Sequence, residues 1–306
     1  MRLYSILFPG QEPQNVHALY LLIKQYRIIK RTFEESSEYI RYDLNKLIKN
    51  NLQRKINKSK YNKFIALTSS IAIYRLWKHK TKINPHILAG HSLGEYSALI
   101  CSESLAFQDA IKLIVFRDKF MRESMENKLG AMHVIIGLKQ SDIEKILKDL
   151  KNIKTVSIAC INTQHQIVIS GEKYAVHKVS TACKKLGAKK IFHLSIYPPS
   201  HCILMKSAAK KFSMILNETS FQKPIFPVVN NVDTKCEISA SAIRSALTRQ
   251  LYNPVKWINT IIYLANQNIS MFVETGLNNT LTNLNKFIVA IPSISFNNQI
   301  NSLKNF

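Results

Sequence analysis

Pro85-His86-Ile87-Leu88-Ala89-Gly90-His91-Ser92-Leu93-Gly94-Glu95-Tyr96-Ser97 decides how the rest of the chain is read. Up to Ala89 it is short, apolar and opened by a proline, as a buried parallel strand is. From Leu93 to Cys101 it reads as a helix rich in Ala, Leu and Glu. Gly90-x-Ser92-x-Gly94 therefore falls where a strand turns into a helix. In a nucleophile elbow, glycines permit that sharp turn and the serine hydroxyl is pushed into the open. Helix N-terminal amides then face any oxygen that becomes charged during attack. The bare pattern also occurs in structural turns; the strand before and the helix after favour the nucleophile.

Outward from the elbow, the elements alternate as in an α/β protein. Tyr4–Phe8 reads as a first strand ending in the tight loop Phe8-Pro9-Gly10-Gln11, at the sheet edge where such folds bind ligands. Residues 14–50 read as helices with basic faces and 51–60 as a polar loop. A helix over 64–80 carries Ile65, Thr68, Ser69, Ala72 and Leu76 on one side. Another, Phe107–Ser124, places Leu113, Val115, Phe116 and Phe120 toward the core. At Gly130 the period changes. Strands at Ala131–Ile136, Thr155–Ile161, Gln166–Ser170 and Lys190–Ser195 enclose helices at Ser141–Leu150 and Lys173–Leu186, the β-α-β-β-α-β order of a ferredoxin-like unit. The α/β pattern then resumes with helix Ile203–Asn217, strand Phe226–Val229 and helices Ser239–Leu251 and Val255–Gln267. Strand Met271–Glu274 and a last strand near Ile288–Ile291 close the sheet. The expected organisation is a parallel-sheet catalytic part over 1–127 and 198–306, with a ferredoxin-like subdomain inserted at 128–197.

The chain has 306 residues, 46 % of them hydrophobic, which suffices for a large core. No apolar run nears the roughly 20 residues that span a bilayer. The segment before Pro9-Gly10 is too short for a signal peptide, so a cytoplasmic protein away from membranes is expected. Five scattered cysteines without a C-x-x-C suit reduced thiols and argue against a disulfide framework or a zinc site. The net charge of +24 admits nucleic-acid binding, compositional bias toward Lys, Asn and Ile, or steering of an acidic partner. The lysines are dispersed and no nucleic-acid motif accompanies them, so bias is favoured, with an acidic partner benefiting.

A serine hydroxyl needs a base to take its proton. Among nine histidines, His201 stands out in Pro198-Pro199-Ser200-His201, a rigid approach at the return point of the insert. Local sequence alone reads it equally well as a surface loop histidine. His91, beside the serine on the elbow, is expected to point away from the site. No obvious acidic third member lies between Ser92 and His201, so a Ser-His dyad is expected. Arg117, beside Asp118 and near Met121, reads on pattern alone as a helix-surface ion pair.

Six motifs occur in order: Phe8-Pro9-Gly10-Gln11, Gly90-His91-Ser92-Leu93-Gly94-Glu95-Tyr96, Arg117, Pro199-Ser200-His201, Val228-Val229-Asn230-Asn231-Val232 and Arg249-Gln250-Leu251-Tyr252-Asn253-Pro254-Val255. Together they resemble the malonyl-CoA:acyl-carrier-protein transacylases over essentially the whole chain. The resemblance implies an α/β-hydrolase-like large subdomain carrying the ferredoxin-like insert. It implies Ser92 as the acylated nucleophile, His201 as base and then acid, and the Gln250 carbonyl as the group that orients the imidazole. It further implies an oxyanion hole from the N–H groups of Gln11 and Leu93, and Arg117 as the anchor for the free carboxylate of malonate. Malonyl-CoA and acyl carrier protein are the implied partners, with no metal or redox cofactor and a monomeric protein. Lys189, Lys190 and Lys286 are candidates for steering an acidic carrier, against the plain reading of solvated lysines.

The chain departs from that family at Glu12-Pro13 after Gln11, at Lys63 and Cys160 where amides are common, and at the turn Gly276-Leu277-Asn278. There Asn278 is expected to supply a left-handed conformation. A serine esterase or thioesterase on the same elbow, and a basic nucleic-acid-binding scaffold, are the alternatives. Arg117 and Gln250 weigh against the first, and the intact Ser92, His201 and Arg117 against the second.

Overall fold

The computed structural model describes residues 3–11, 15–51, 61–126, 128–150 and 153–296. Glu12, Pro13 and all of the expected 51–60 loop except Asn51 lie outside these residues. A parallel five-stranded sheet in the order β7-β2-β1-β8-β9 is built from β1 (Tyr4–Phe8), β2 (Ile87–Gly90), β7 (Val228–Val229), β8 (Met271–Glu274) and β9 (Ser293–Ser295). β1 is central and buried along its whole length, as its mostly apolar run, broken only by the buried Ser5, leads one to expect. Its register pairs Phe8 with Gly90 and Leu7 with Glu274. The loop after β1 and the elbow after β2 therefore leave the sheet side by side.

Helices α1 (Val16–Gln25), α2 (Arg27–Ile40), α3 (Leu44–Asn50) and α4 (Asn62–Thr81) lie between β1 and β2, and α5 (Gly94–Cys101) and α6 (Phe107–Glu123) follow the elbow. The sequence predicts a one-sided apolar stripe on α4, yet Phe64–Tyr74 is buried all round. α4 is packed against both α2 and α5, so its small residues Ser69, Ser70 and Ala72 serve close approach on faces that would otherwise be wet.

A second, antiparallel sheet in the order β4-β5-β3-β6 joins β3 (Gly130–Ile136), β4 (Val156–Thr163), β5 (Gln166–Glu172) and β6 (Lys190–His193), with α7 (Gln140–Asp149) and α8 (Lys173–Lys185) between them. Period-two alternation divides its side chains between two cores. Ala131, Ile135, Ile167 and Ile169 pack with Val176 and Val179 of α8. Met132, Val134, Cys160 and Val168 turn the other way, into the cluster containing Leu7 and Ala89 of the parallel sheet. The chain is thus α/β, with a parallel sheet and a separate antiparallel one facing each other across residues from both.

The remaining elements are α9 (Lys206–Glu218), α10 (Ala240–Gln250), α11 (Trp257–Ala265) and α12 (Thr280–Asn285). Several expectations need correction. The expected helix from Ile203 begins as a 3-10 turn, Ile203–Met205, before α9. Val255 precedes α11 instead of opening it, because it is bridged to Cys160 of β4. The closing strand is Ser293–Ser295 and not Ile288–Ile291. The N–H groups of Ile288 and Val289 are taken by the Asn285 carbonyl at the end of α12, so ladder pairing starts only at Pro292. Val115 on α6 is exposed, while Leu113 is buried and Phe116 and Phe120 are half-buried.

Candidate active site

The elbow is built as its glycines require. A Cβ on Gly90 would collide with the backbone of Gly94, and one on Gly94 with the Phe8 carbonyl. Between them Ser92 takes a left-handed conformation, φ 54°, which aims its side chain away from the strand. His201, on a loop after β6, is also left-handed, at φ 59°. Its backbone N–H donates to the Leu251 carbonyl. The two side chains meet: Ser92 Oγ lies 2.7 Å from His201 Nε2, and His201 Nδ1 lies 2.7 Å from the Gln250 carbonyl oxygen. A proton on Nδ1 donated to that carbonyl leaves Nε2 as the acceptor facing the hydroxyl. His201 is 1 % exposed, and burial, reinforced by the nearby Arg117 guanidinium, depresses its pKa to about 3. The imidazole is neutral at physiological pH, ready to take a proton.

A buried polar network clasps the elbow from behind. Asn231 Oδ1 accepts the Ser92 N–H (2.7 Å), and its Nδ2 donates to the Gly90 carbonyl (2.6 Å). Glu95 Oε2 accepts the Asn231 N–H (3.0 Å) and the Gln250 Nε2 (2.8 Å), which also donates to the Ser92 carbonyl (3.1 Å). Gln250 thus orients His201 with its backbone while its side chain holds the nucleophile's own peptide. Burial pushes the Glu95 carboxyl up to about 7, against the pull of its Gln250 and Asn231 hydrogen bonds.

Ser92 and His201 open onto a cavity of about 650 Å³ between the two sheets, lined by Gln11, Leu93, Arg117, Met132, Val168 and Leu281 among others. Leu93 and Gln11 sit where adjacent strand ends converge. Among the described residues, no acceptor pairs with the backbone N–H of either. Arg117 reaches the cavity from α6, and its Nε and Nη2 are buried with no well-formed hydrogen bond among the described residues and the Tyr96 hydroxyl nearby. The surface ion pair with Asp118 does not form. Asp118 Oδ2 instead meets Lys63 Nζ at 2.6 Å and Arg122 Nε at 2.9 Å.

Other expectations fare differently. His91 lines the same cavity instead of pointing away, because its Nε2 is drawn to Asn162 Oδ1 (2.9 Å) on β4. Cys160 is buried on the cavity wall, and burial raises its thiol to about 12, so it is an apolar lining group at neutral pH. The turn at Gly276-Leu277-Asn278 uses no left-handed residue. Ser295 Oγ bridges the Gly276 and Asn278 carbonyls, and Asn278 lines the cavity. Lys189, Lys190 and Lys286 are exposed and do not line the cavity, although Phe192, His193 and Leu284 close to them do.

Sequence reading assigned no role to Asn231, Glu95 or Asn162. Each is a polar residue inside an apolar or buried-helix stretch, a signal that such a residue has a buried partner. Among the described residues, no cluster of three His, Cys, Asp or Glu could hold a metal ion, and no helix is long and apolar enough to cross a membrane.

Residues 30–285 match the acyl transferase domain family. The chain is 48 % identical over 303 residues to the malonyl CoA-acyl carrier protein transacylase of Buchnera aphidicola subsp. Baizongia pistaciae, covering 98 % of this chain and 97 % of that one. It is 42 % identical to that of Escherichia coli strain K12, covering 94 % of each. Among solved structures, a malonyl-transacylase in complex with its type II PKS acyl-carrier protein superposes with a TM-score of 0.93 at 40 % identity, covering 99 % of this chain and 100 % of that one. The malonyl CoA-acyl carrier protein transacylase of Coxiella burnetii superposes at 0.92 with 35 % identity, covering 97 % and 94 %. With this likeness along nearly its whole length, the chain belongs to the acyl transferase domain family and, within it, to the malonyl CoA-acyl carrier protein transacylases.

Proposed function

We propose that this protein moves a malonyl group from malonyl-CoA to the phosphopantetheine thiol of an acyl carrier protein, supplying fatty-acid elongation. The observation that carries the reading is the juxtaposition, in one cavity, of the Ser92–His201 pair and a buried guanidinium with unused donors. Ser92 Oγ attacks the thioester carbonyl carbon while His201 Nε2 takes its proton. The oxyanion forms against the N–H groups of Leu93 and Gln11. Its collapse breaks the C–S bond, and imidazolium protonates the departing CoA thiolate. In the second half-reaction the carrier thiol gives its proton to His201 and attacks malonyl-Ser92; Ser92 recovers the proton as it leaves. Throughout, Arg117 holds the free carboxylate, which an acetyl group lacks.

On the same reading, residues 128–197 form a ferredoxin-like subdomain inserted into an α/β-hydrolase-like one at 1–127 and 198–306. The strand order β4-β5-β3-β6, with α7 and α8 on one face, supports the first assignment. The nucleophile turn on a parallel sheet supports the second. The protein acts as a cytoplasmic monomer without cofactor, and Lys189, Lys190 and Lys286 beside the cavity steer an acidic carrier. Intact-mass measurement after mixing with malonyl-CoA tests the core of this. Wild type should gain one malonyl group and lose it to carrier protein, while Ser92→Ala gains none; equal labelling of both refutes the assignment.

A further inference from the structure

The mechanism leaves one charged cluster on the cavity wall unused. Asp118 lines the same cavity as Arg117, yet its carboxylate is engaged by Lys63 and Arg122. The Arg117 Nε and Nη2 are buried without a carboxylate partner among the described residues and have the neutral Tyr96 hydroxyl nearby. The two cations holding Asp118 are unequal. The Arg122 side chain is 48 % exposed, so water and salt screen its attraction, whereas that of Lys63 is 12 % exposed. Lys63 lies in the first turn of α4, and Arg122 stacks over Tyr197 at 5.6 Å on the segment leading to His201, so the cluster joins three parts of the cavity wall.

A bare carboxylate here would act twice against an anionic acyl group. It would repel the incoming carboxylate, and it would offer Arg117 an internal partner in its place. We propose that Lys63 is a specificity-determining positioning residue: by holding Asp118 it keeps Arg117 open and the wall positive, three cations against one carboxylate. Lys63 thereby favours a dicarboxylic half-thioester without needing to touch it. The inference rests on the malonyl reading of Arg117.

Steady-state transfer by the full-length protein, with malonyl-CoA and with acetyl-CoA as donors, tests it on Lys63→Met, Asp118→Asn, their combination and Arg117→Ala. Lys63→Met should raise KM for malonyl-CoA about tenfold, with kcat within about twofold and KM for acetyl-CoA little moved. Adding Asp118→Asn should restore the wild-type KM, because the charge that Lys63 balanced is gone. An unchanged malonyl-CoA KM, an equal rise with both donors, or failure of the double variant to recover overturns the proposal. Asp118→Asn alone decides if Lys63→Met does not fold: its malonyl-CoA KM must stay level or fall, and a rise overturns the proposal. If Arg117→Ala leaves discrimination between the donors intact, the malonyl reading itself fails. If Arg117→Ala abolishes discrimination and Lys63→Met does not alter it, only the role of Lys63 fails.

Discussion

Glu95 offers a test of the buried network that needs no substrate. Its carboxyl is 3 % exposed and has no cation bonded to it; burial holds it at about 7, against an ordinary 4.5. The folded-state value is raised, so the sign follows directly. Below about pH 4.5 the group is protonated in both states and its contribution to stability is fully present. Between 4.5 and 7 the unfolded chain sheds the proton first and stability falls; above 7 the loss is complete. That span corresponds to about 3 kcal/mol. Glu95→Gln removes the titration yet can keep the geometry, because both hydrogen bonds, from Asn231 N–H and Gln250 Nε2, arrive at Oε2, where an amide oxygen also accepts. Denaturant unfolding of both proteins at about pH 4.5 and pH 8.5 should show Glu95→Gln gaining about 3 kcal/mol on wild type across that interval. Parallel pH profiles would refute the reasoning.

Arg117→Ala should lower kcat/KM for malonyl-CoA by about ten- to a hundredfold, the worth of hydrogen bonds to a charged group, while acetyl transfer holds or rises; equal loss with both donors would remove the anchor. Because burial and Arg117 keep His201 near 3, the free-enzyme loading rate should show no acid limb at the ordinary histidine value of 6.5. Quenched-flow loading between about pH 5 and 8, run in Glu95→Gln so that the second titration is absent, measures this, and a limb at 6.5 would contradict it. Replacing Lys189, Lys190 and Lys286 by Gln should slow carrier association and flatten its salt dependence while malonyl loading stays unchanged. An unaltered salt dependence would return them to ordinary solvated lysines.

What the sequence made legible follows from what leaves a one-dimensional trace. The elbow was readable because its glycines answer a local collision, Gly90 against Gly94, that no other residue relieves. The second sheet was readable from its change of period. The first sheet's far edge was not: apolar Ile288 and Val289 look like a strand, but their amides already serve the end of α12. The pairing of Ser92 with His201 spans 109 residues and depends on how the two sheets face each other, which local pattern does not encode. Arg117 shows the limit from the other side. Its neighbour Asp118 made a surface pair the natural reading, but Asp118 is taken by Arg122 one turn on and by Lys63, whose approach from α4 local pattern does not encode.

The acidic groups around Arg117 are each disarmed by a different means. Asp118 is neutralised by Lys63 and Arg122, and Glu95 is held back from ionising by burial, against the favourable pull of Arg117. Where a third acidic group could stand, orienting His201, there is a backbone carbonyl instead. A carboxylate in that place would stabilise imidazolium more strongly, but it would also add a negative charge in the field of Arg117 and weaken the attraction left for the substrate. A backbone carbonyl fixes the tautomer without carrying charge, and its position is secured by the Gln250 side chain on Ser92 and Glu95. The cost is a weaker base, since burial and, after it, the same guanidinium push His201 down. Arrival of an anionic acyl group eases the part of that cost that Arg117 imposes, because its carboxylate offsets the guanidinium, while burial, the larger cause, remains. Substrate charge thus makes His201 a readier acceptor of the Ser92 proton, and a neutral acyl group lacks that effect.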